Sequence, residues 1–156
     1  MIEIAVPGYR TFRFEHLVLD HNGTLARDGM LLPGVRERLG ALAGCLTIHV
    51  LTADTFGTAI AELAGLSCEL TVLPAERQAE AKRSFVERLG AEVTVSIGNG
   101  RNDRLMLQAA ALGIVVLQEE GGAIESLLAA HVVCRDVREA LDLLVHPLRL
   151  VATLRS

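Results

Sequence analysis

An apolar run ends abruptly at Asp20, and the tight turn His21-Asn22-Gly23-Thr24 follows it. Leu17-Val18-Leu19 reads as a buried strand, so Asp20 stands where that strand meets solvent. A carboxylate in this place can attack an electrophile or ligate a metal; it can also do no more than cap a turn. Two other strand ends carry polar residues of matching character. Thr52 follows the apolar run from Cys45 to Leu51, and Asn99, Asn102 and Asp103 follow Val93 to Ile97. Lys82 is the only lysine in the chain. It falls in line with Phe85, Val86 and Leu89 at i, i+3, i+4 and i+7, on the face of a helix that must pack inward. A lone ammonium there needs an anionic partner. Together the set is acid, hydroxyl, ammonium, and amide with acid. Those are the parts that bind a phosphoryl group: a carboxylate for attack or for a metal, and donors that neutralise oxygens. Each has a plainer reading as well. Thr52 can satisfy local backbone, Asn102-Asp103 can cap a helix, and Lys82 can snorkel off a helix edge.

The elements that must hold these residues alternate. Residues 2–6 and 12–19 read as extended and joined at Pro7-Gly8, an N-terminal hairpin over 1–14 leading into the strand of Asp20. Residues 25–32 form a short flap turned at Asp28-Gly29. Pro33 is placed to open a helix, with Val35, Leu39 and Leu42 inward and Gly44 past its end. The run 45–51 is the next strand, closing at Thr52-Ala53-Asp54. A helix over 55–64 turns Phe56, Ile60 and Leu63 inward. Strand 69–73, helix 76–89 and strand 93–97 follow. Beyond Gly98 come a helix over 102–112 stopped by Gly113, a strand at 114–117, a helix over 123–130 and a strand at 132–134. Asp136 caps a helix to about 145, and His146-Pro147 precedes a last apolar helix. Strands separated by helices imply an α/β fold: a Rossmann-like, three-layer α/β/α sandwich on a mostly parallel sheet. In such a sheet ligands bind at the carboxyl ends of the strands, which is where Asp20, Thr52 and Asn99 fall. The expectation is a single domain over 1–156, with connections too short for a large cap.

Composition narrows the class. With 156 residues, 51% hydrophobic but only 3% aromatic, the chain packs an aliphatic core. A net charge of −4 gives no electrostatic footprint for nucleic acid. No apolar stretch is long enough to cross a bilayer, and the start lacks the layout of a signal peptide, so a cytoplasmic protein is expected. Cys45, Cys68 and Cys134 lie in or beside apolar runs and read as buried free thiols.

The segment Asp20-His21-Asn22-Gly23-Thr24-Leu25 resembles the first motif of the haloacid dehalogenase (HAD) superfamily, Asp-x-Asp-Gly-Thr-Leu. Thr52 looks like its second motif and Lys82 its third, and Gly98-Asn99-Gly100-Arg101-Asn102-Asp103 looks like the fourth, Gly-Asp-Gly-x-Asn-Asp. The order is the family's, and the likeness spans roughly residues 12–135. It is nearest to small soluble relatives of the P-type ATPase phosphorylation domain. The resemblance implies Mg²⁺-dependent transfer of a phosphoryl group from a small phosphorylated substrate through an aspartyl-phosphate. It makes Asp20 the nucleophile and a metal ligand, with the backbone carbonyl of Asn22 and the fourth-motif residues Asn99 and Asp103 completing the metal site. It makes Thr52, Ala53, Lys82, Asn22, Gly23 and Asn102 the phosphoryl cradle. Two residues depart from the pattern. Asn22 stands where family phosphatases have the Asp that serves as general acid and base, and an amide has no proton to exchange. Asn99 stands where an acid would ligate the metal. The resemblance therefore leaves two readings, a slow phosphohydrolase and a phosphate- or metal-binding regulatory module. Small capless relatives also imply association, as a homodimer or homotetramer. Met30-Leu31-Leu32 and the segment with Leu148, Leu150, Val151 and Leu154 are the candidate surfaces.

Overall fold

Leu17 and Leu19 enter one apolar core and Val18 enters another, as the two-residue period of a strand requires. The structure, a computed structural model, describes residues 1–53 and 57–156. The chain opens with β1 (Ile2–Val6) and β2 (Arg10–Phe14), an antiparallel hairpin with its own two-stranded sheet. Next is β3 (His16–Asp20). The short strands β4 (Ala26–Arg27) and β5 (Met30–Leu31) form the flap, turned where Asp28 and Gly29 take positive φ. Then follow α1 (Val35–Leu42), β6 (Thr47–Thr52), α2 (Thr58–Glu62), β7 (Glu69–Val72) and α3 (Gln78–Leu89). The second half contains β8 (Thr94–Gly98), α4 (Arg104–Ala109), β9 (Leu112–Val116) and α5 (Ile124–Ala129). It ends with β10 (Val132–Cys134), α6 (Val137–Val145) and α7 (Pro147–Leu154).

Six strands form one sheet in the order β10-β9-β8-β3-β6-β7, and every pairing is parallel. The chain runs outward from β3 to β6 and β7, then returns to the other side of β3 for β8, β9 and β10. The order therefore reverses between β3 and β8, and the crevice outside their carboxyl ends is where such sheets bind ligands. On one face lie α1, α6 and α7, through Val35, Leu39, Leu141, Leu144 and Leu150. On the other lie α3 and α4, through Val86, Met106 and Leu107. Phe12 and Phe14 of the hairpin are 1% and 0% exposed. Each stabilises the fold by roughly 1.5–3 kcal/mol through burial, enough to make the hairpin part of the core instead of a loose arm.

Several elements differ from expectation, each for a local reason. Pro33 does not open α1; Gly34 takes a left-handed conformation as N-cap, and the helix starts at Val35. The helix expected over 55–64 is shorter, and Ile60 is 63% exposed while Ala59 and Leu63, four apart, turn inward. Phe56 lies outside the described residues. The helix after Gly98 ends at Ala109, and Gly113 is inside β9 instead of stopping a helix. A Cβ on Gly113 would come within 2.2 Å of the Leu107 carbonyl oxygen, so this glycine lets α4 lie against β9. The three cysteines are free, but Cys45 is exposed and Cys68 and Cys134 are half-buried. Leu46, next in the chain, takes the inward place beside Cys45. Among the described residues no helix is long and apolar enough to cross a membrane.

Candidate functional site

Asp20 follows Val18 by two residues, so it shares the face on which α3 packs. On α3, Lys82 precedes Val86 by one turn and lies toward the carboxyl edge of the sheet. The two side chains meet: Lys82 Nζ donates to Asp20 Oδ1 at 2.7 Å and to Asp103 Oδ1 at 2.7 Å. Lys82 is 1% exposed, and snorkelling is excluded by that burial. Desolvation favours the neutral amine, but the two carboxylates and their hydrogen bonds outweigh it and raise the Lys82 pKa. Asp20 is pushed up to about 7, first by its own desolvation and then by the nearby Asp103 charge, with Lys82 and Thr24 opposing. One buried ammonium thus bridges two acids and does not fully offset the burial of Asp20.

The loop after β8 builds the second wall. A Cβ on Gly98 would sit 2.5 Å from Asp103 Cγ, so only a glycine lets that carboxylate lie over the strand end. Asp103 Oδ2 accepts from the backbone N–H groups of Asn99 and Gly100, both at 2.9 Å. Its side chain therefore ties the loop and Lys82 together and makes no cap bond to α4. Asn102 Nδ2 donates to Gln78 Oε1 at 2.7 Å, which fastens the same loop to the first residue of α3. Asn99 is buried, and its amide donates to the Gly121 carbonyl at 3.2 Å.

Thr52 is the last residue of β6, buried, one step beyond the partner of Asp20 in the sheet register. Ala53 follows it and is half-buried. The turn after β3 is closed by three N–H groups, of Thr24, Leu25 and Ala26, converging on the His21 carbonyl. His21 is fully buried, with Nδ1 3.1 Å from Asn22 Oδ1, while Asn22 itself is exposed. Gly23 adopts φ +77° beside it. The structure therefore brings Asp20, Lys82, Asn99, Asp103 and Thr52 to one edge, with Asn22, Gly23, Ala53 and Asn102 around it.

Four residues of this edge escaped assignment from the sequence. Thr24 Oγ1 lies 3.2 Å from Asp20 Oδ2 and 3.3 Å from Asn99 Oδ1, joining the first and last loops. Gln78 holds Asn102. Gln118, at φ +52°, donates to the Thr24 carbonyl and accepts from Val137 N at 3.2 Å. Glu120 packs over Gly23. The last two were detectable in principle, because they follow β9 at the same carboxyl edge. A cavity of about 240 Å³ opens beside Gly23, between the flap at Ala26, Arg27 and Leu32 and the loop of Gln118.

The donors at this edge are oxygens: the Asp20 carboxylate, the Asn99 side-chain carbonyl within reach of the same Thr24 hydroxyl, and the backbone carbonyls of the turn. A set of hard oxygen ligands suits Mg²⁺, which takes one or two carboxylates and keeps several waters. Among the described residues no three His, Cys, Asp or Glu side chains gather to hold a metal. Asp103 accepts from Lys82 and from two loop N–H groups, while Asp20 accepts from Lys82 and Thr24 alone, so Asp20 keeps more lone-pair capacity for a cation. The residues fit a Mg²⁺ held sparingly.

No family model matches the chain. An uncharacterized protein of Methanocaldococcus jannaschii is 42% identical over 80 residues, which cover 49% of this chain and 86% of the relative. The chain belongs to one family with it. A HAD family hydrolase from Streptomyces avermitilis superposes with a TM-score of 0.69 at 19% identity, covering 86% of each chain. The 3-deoxy-D-manno-octulosonate 8-phosphate phosphatase of Moraxella catarrhalis, crystallised with magnesium, phosphate and the sugar, superposes with a TM-score of 0.67 at 16% identity. That match covers 91% of this chain and 94% of the other.

Proposed function

Since the chain has the fold of the HAD hydrolases, we propose that it is a phosphohydrolase that acts on a small phosphorylated substrate through an aspartyl-phosphate at Asp20. The observation that carries this reading is the buried Lys82 held between Asp20 and Asp103 at the point where the strand order reverses. A structural ion pair does not require a carboxylate at the open end of a strand; a phosphoryl site does. In the first step an Asp20 oxygen forms a bond to phosphorus as the P–O bond to the leaving group breaks. Lys82 and Thr52 donate to the phosphoryl oxygens. In the second step water attacks phosphorus and the bond to Asp20 breaks, releasing phosphate. The cavity beside Gly23 holds the leaving group. Asp20, the Asn22 carbonyl and Asn99 would hold a Mg²⁺, which would supply positive charge against the phosphoryl oxygens.

Asn22 has no proton to give the leaving group. General acid–base help is worth about 10²–10⁴-fold, so turnover is slow. The same residue supports a second reading, a regulatory module that binds phosphate or metal without turnover. His21 Nδ1 lies 3.1 Å from the Asn22 amide oxygen and holds that amide in place. A panel of phosphomonoesters with Mg²⁺ separates the two. Wild-type protein should release phosphate slowly from at least one ester, Asp20→Asn should release none, and Asn22→Asp should raise turnover by about tenfold or more. No release by wild type together with no gain in Asn22→Asp would favour the module.

A further inference from the structure

Asn99 leaves the candidate metal position with one acid, Asp20, yet a second carboxylate lies against the same turn. A Cβ built on Gly23 would be 2.4 Å from Glu120 Oε2, 3.1 Å from Asn99 Oδ1 and 3.2 Å from Asn99 Nδ2. Glu120 and the Asn99 amide therefore share the small space that the missing Gly23 side chain leaves. On the other side of that space Thr24 Oγ1 bridges Asn99 Oδ1 and Asp20 Oδ2. Three oxygens, from Asp20, Asn99 and Glu120, thus line one turn.

The placement of Glu120 depends on Asn99 being an amide. Asn99 Nδ2 donates to the carbonyl of Gly121, the residue after Glu120, at 3.2 Å. A carboxylate at 99 cannot donate, and it would repel the acid beside it. The Asn99 backbone carbonyl accepts from Ala123 N at 2.9 Å, and Gln118 is pinned to Thr24 and Val137, so the loop 118–123 is anchored at both ends. Neighbouring charges in the loop are spoken for. Glu119 pairs with Arg27, while Glu120 has no ion-pair partner among the described residues.

We infer that Glu120 supplies the second negative charge of the metal position, in place of the acid absent at Asn99. The inference rests on the phosphohydrolase reading of this site. Because no three acids gather at one point, Glu120 is a positioning residue: it acts on water held by the cation and does not complete a cage of acids. Mg²⁺ retains several such waters, and partners that bond to a metal's ligands commonly set its affinity within 10- to 100-fold.

The test is Mn²⁺ binding to the full chain, followed by the loss of the free-ion electron paramagnetic resonance signal. Mn²⁺ stands in as a hard dication with a direct readout, so no turnover is needed. Wild type should bind, and Asp20→Asn should abolish binding. Glu120→Gln should weaken binding by about tenfold or more. Glu119→Gln, one residue away and also exposed, should stay within about twofold of wild type, since a surface charge alone contributes little. Adding Asn99→Asp to Glu120→Gln moves the acid back across the Gly23 turn and should restore binding. Circular dichroism and urea melts of the Glu120 variant should match wild type, because Glu120 is exposed.

Wild-type affinity in Glu120→Gln overturns the inference and leaves the phosphohydrolase reading standing. Equal losses in Glu119→Gln and Glu120→Gln overturn it too, as does failure of Asn99→Asp to restore binding. Unaltered binding in Asp20→Asn removes the metal from this edge and with it the reading on which the inference rests. A wild type that binds no Mn²⁺ removes both.

Discussion

Asp20 couples the chemistry of this chain to its stability. An unfolded aspartate titrates at 3.8 and the folded Asp20 at about 7, so the folded chain binds more proton throughout that window. Stability contributed by this group therefore falls as pH rises from about 4 to 7. Asp20→Asn removes the dependence while keeping the shape. In urea melts, the stability of wild type relative to Asp20→Asn should fall by on the order of 2 kcal/mol between pH 5 and pH 7. A difference that stays flat over that range would remove Asp20 as the titrating group. At this scale the sequence was most legible where a residue type is costly out of place. A single lysine on an inward helical face needs an anion, and Lys82 has two of them. It was least legible where polar groups are common. Thr24, Gln78 and Gln118 are unremarkable as types, and only their distances give them roles.

Elements repeat the pattern. The six parallel strands, the flap and the order of the helices follow from apolar runs and turn residues that agree with one another. Boundaries failed where tertiary contacts prevailed over local signals. Gly113 reads as a helix stop, but the close approach of Leu107 places it in a strand. The loop after β9 carries no sequence motif of a site, yet it forms part of the site edge through Gln118. This side chain joins the Thr24 carbonyl of the nucleophile turn to the N–H of Val137, the first residue of α6. Gln118→Ala leaves both groups without that partner. It should cost about 1–3 kcal/mol of stability in urea melts and loosen the flap, seen as faster amide exchange at Ala26 and Leu32. Exchange and melts unchanged from wild type would show the bridge to be incidental.

For the whole molecule, the open carboxyl edge raises the question of cover. The flap is small, and of its apolar residues Leu31 and Leu32 pack on the chain's own core while Met30 is 68% exposed. In α7, Leu150 is buried, Val151 and Leu154 pack on the same core, and Leu148 is 82% exposed. The surfaces free for association are thus narrower than the sequence suggests, and they centre on Met30 and Leu148. Our proposal remains a homodimer or homotetramer. Sedimentation at micromolar concentration should give a mass above 16.7 kDa, and Met30→Ser or Leu148→Ser should lower it. A monomer in wild type would contradict that proposal and leave the site intact. The site itself is tested most directly by fluorine NMR of the chain with beryllofluoride and Mg²⁺, because beryllofluoride joined to a carboxylate copies an aspartyl-phosphate. Protein-bound fluorine resonances should appear in wild type and be absent in Asp20→Asn. No bound resonances in wild type, or the same resonances in Asp20→Asn, would contradict a phosphoryl site at Asp20.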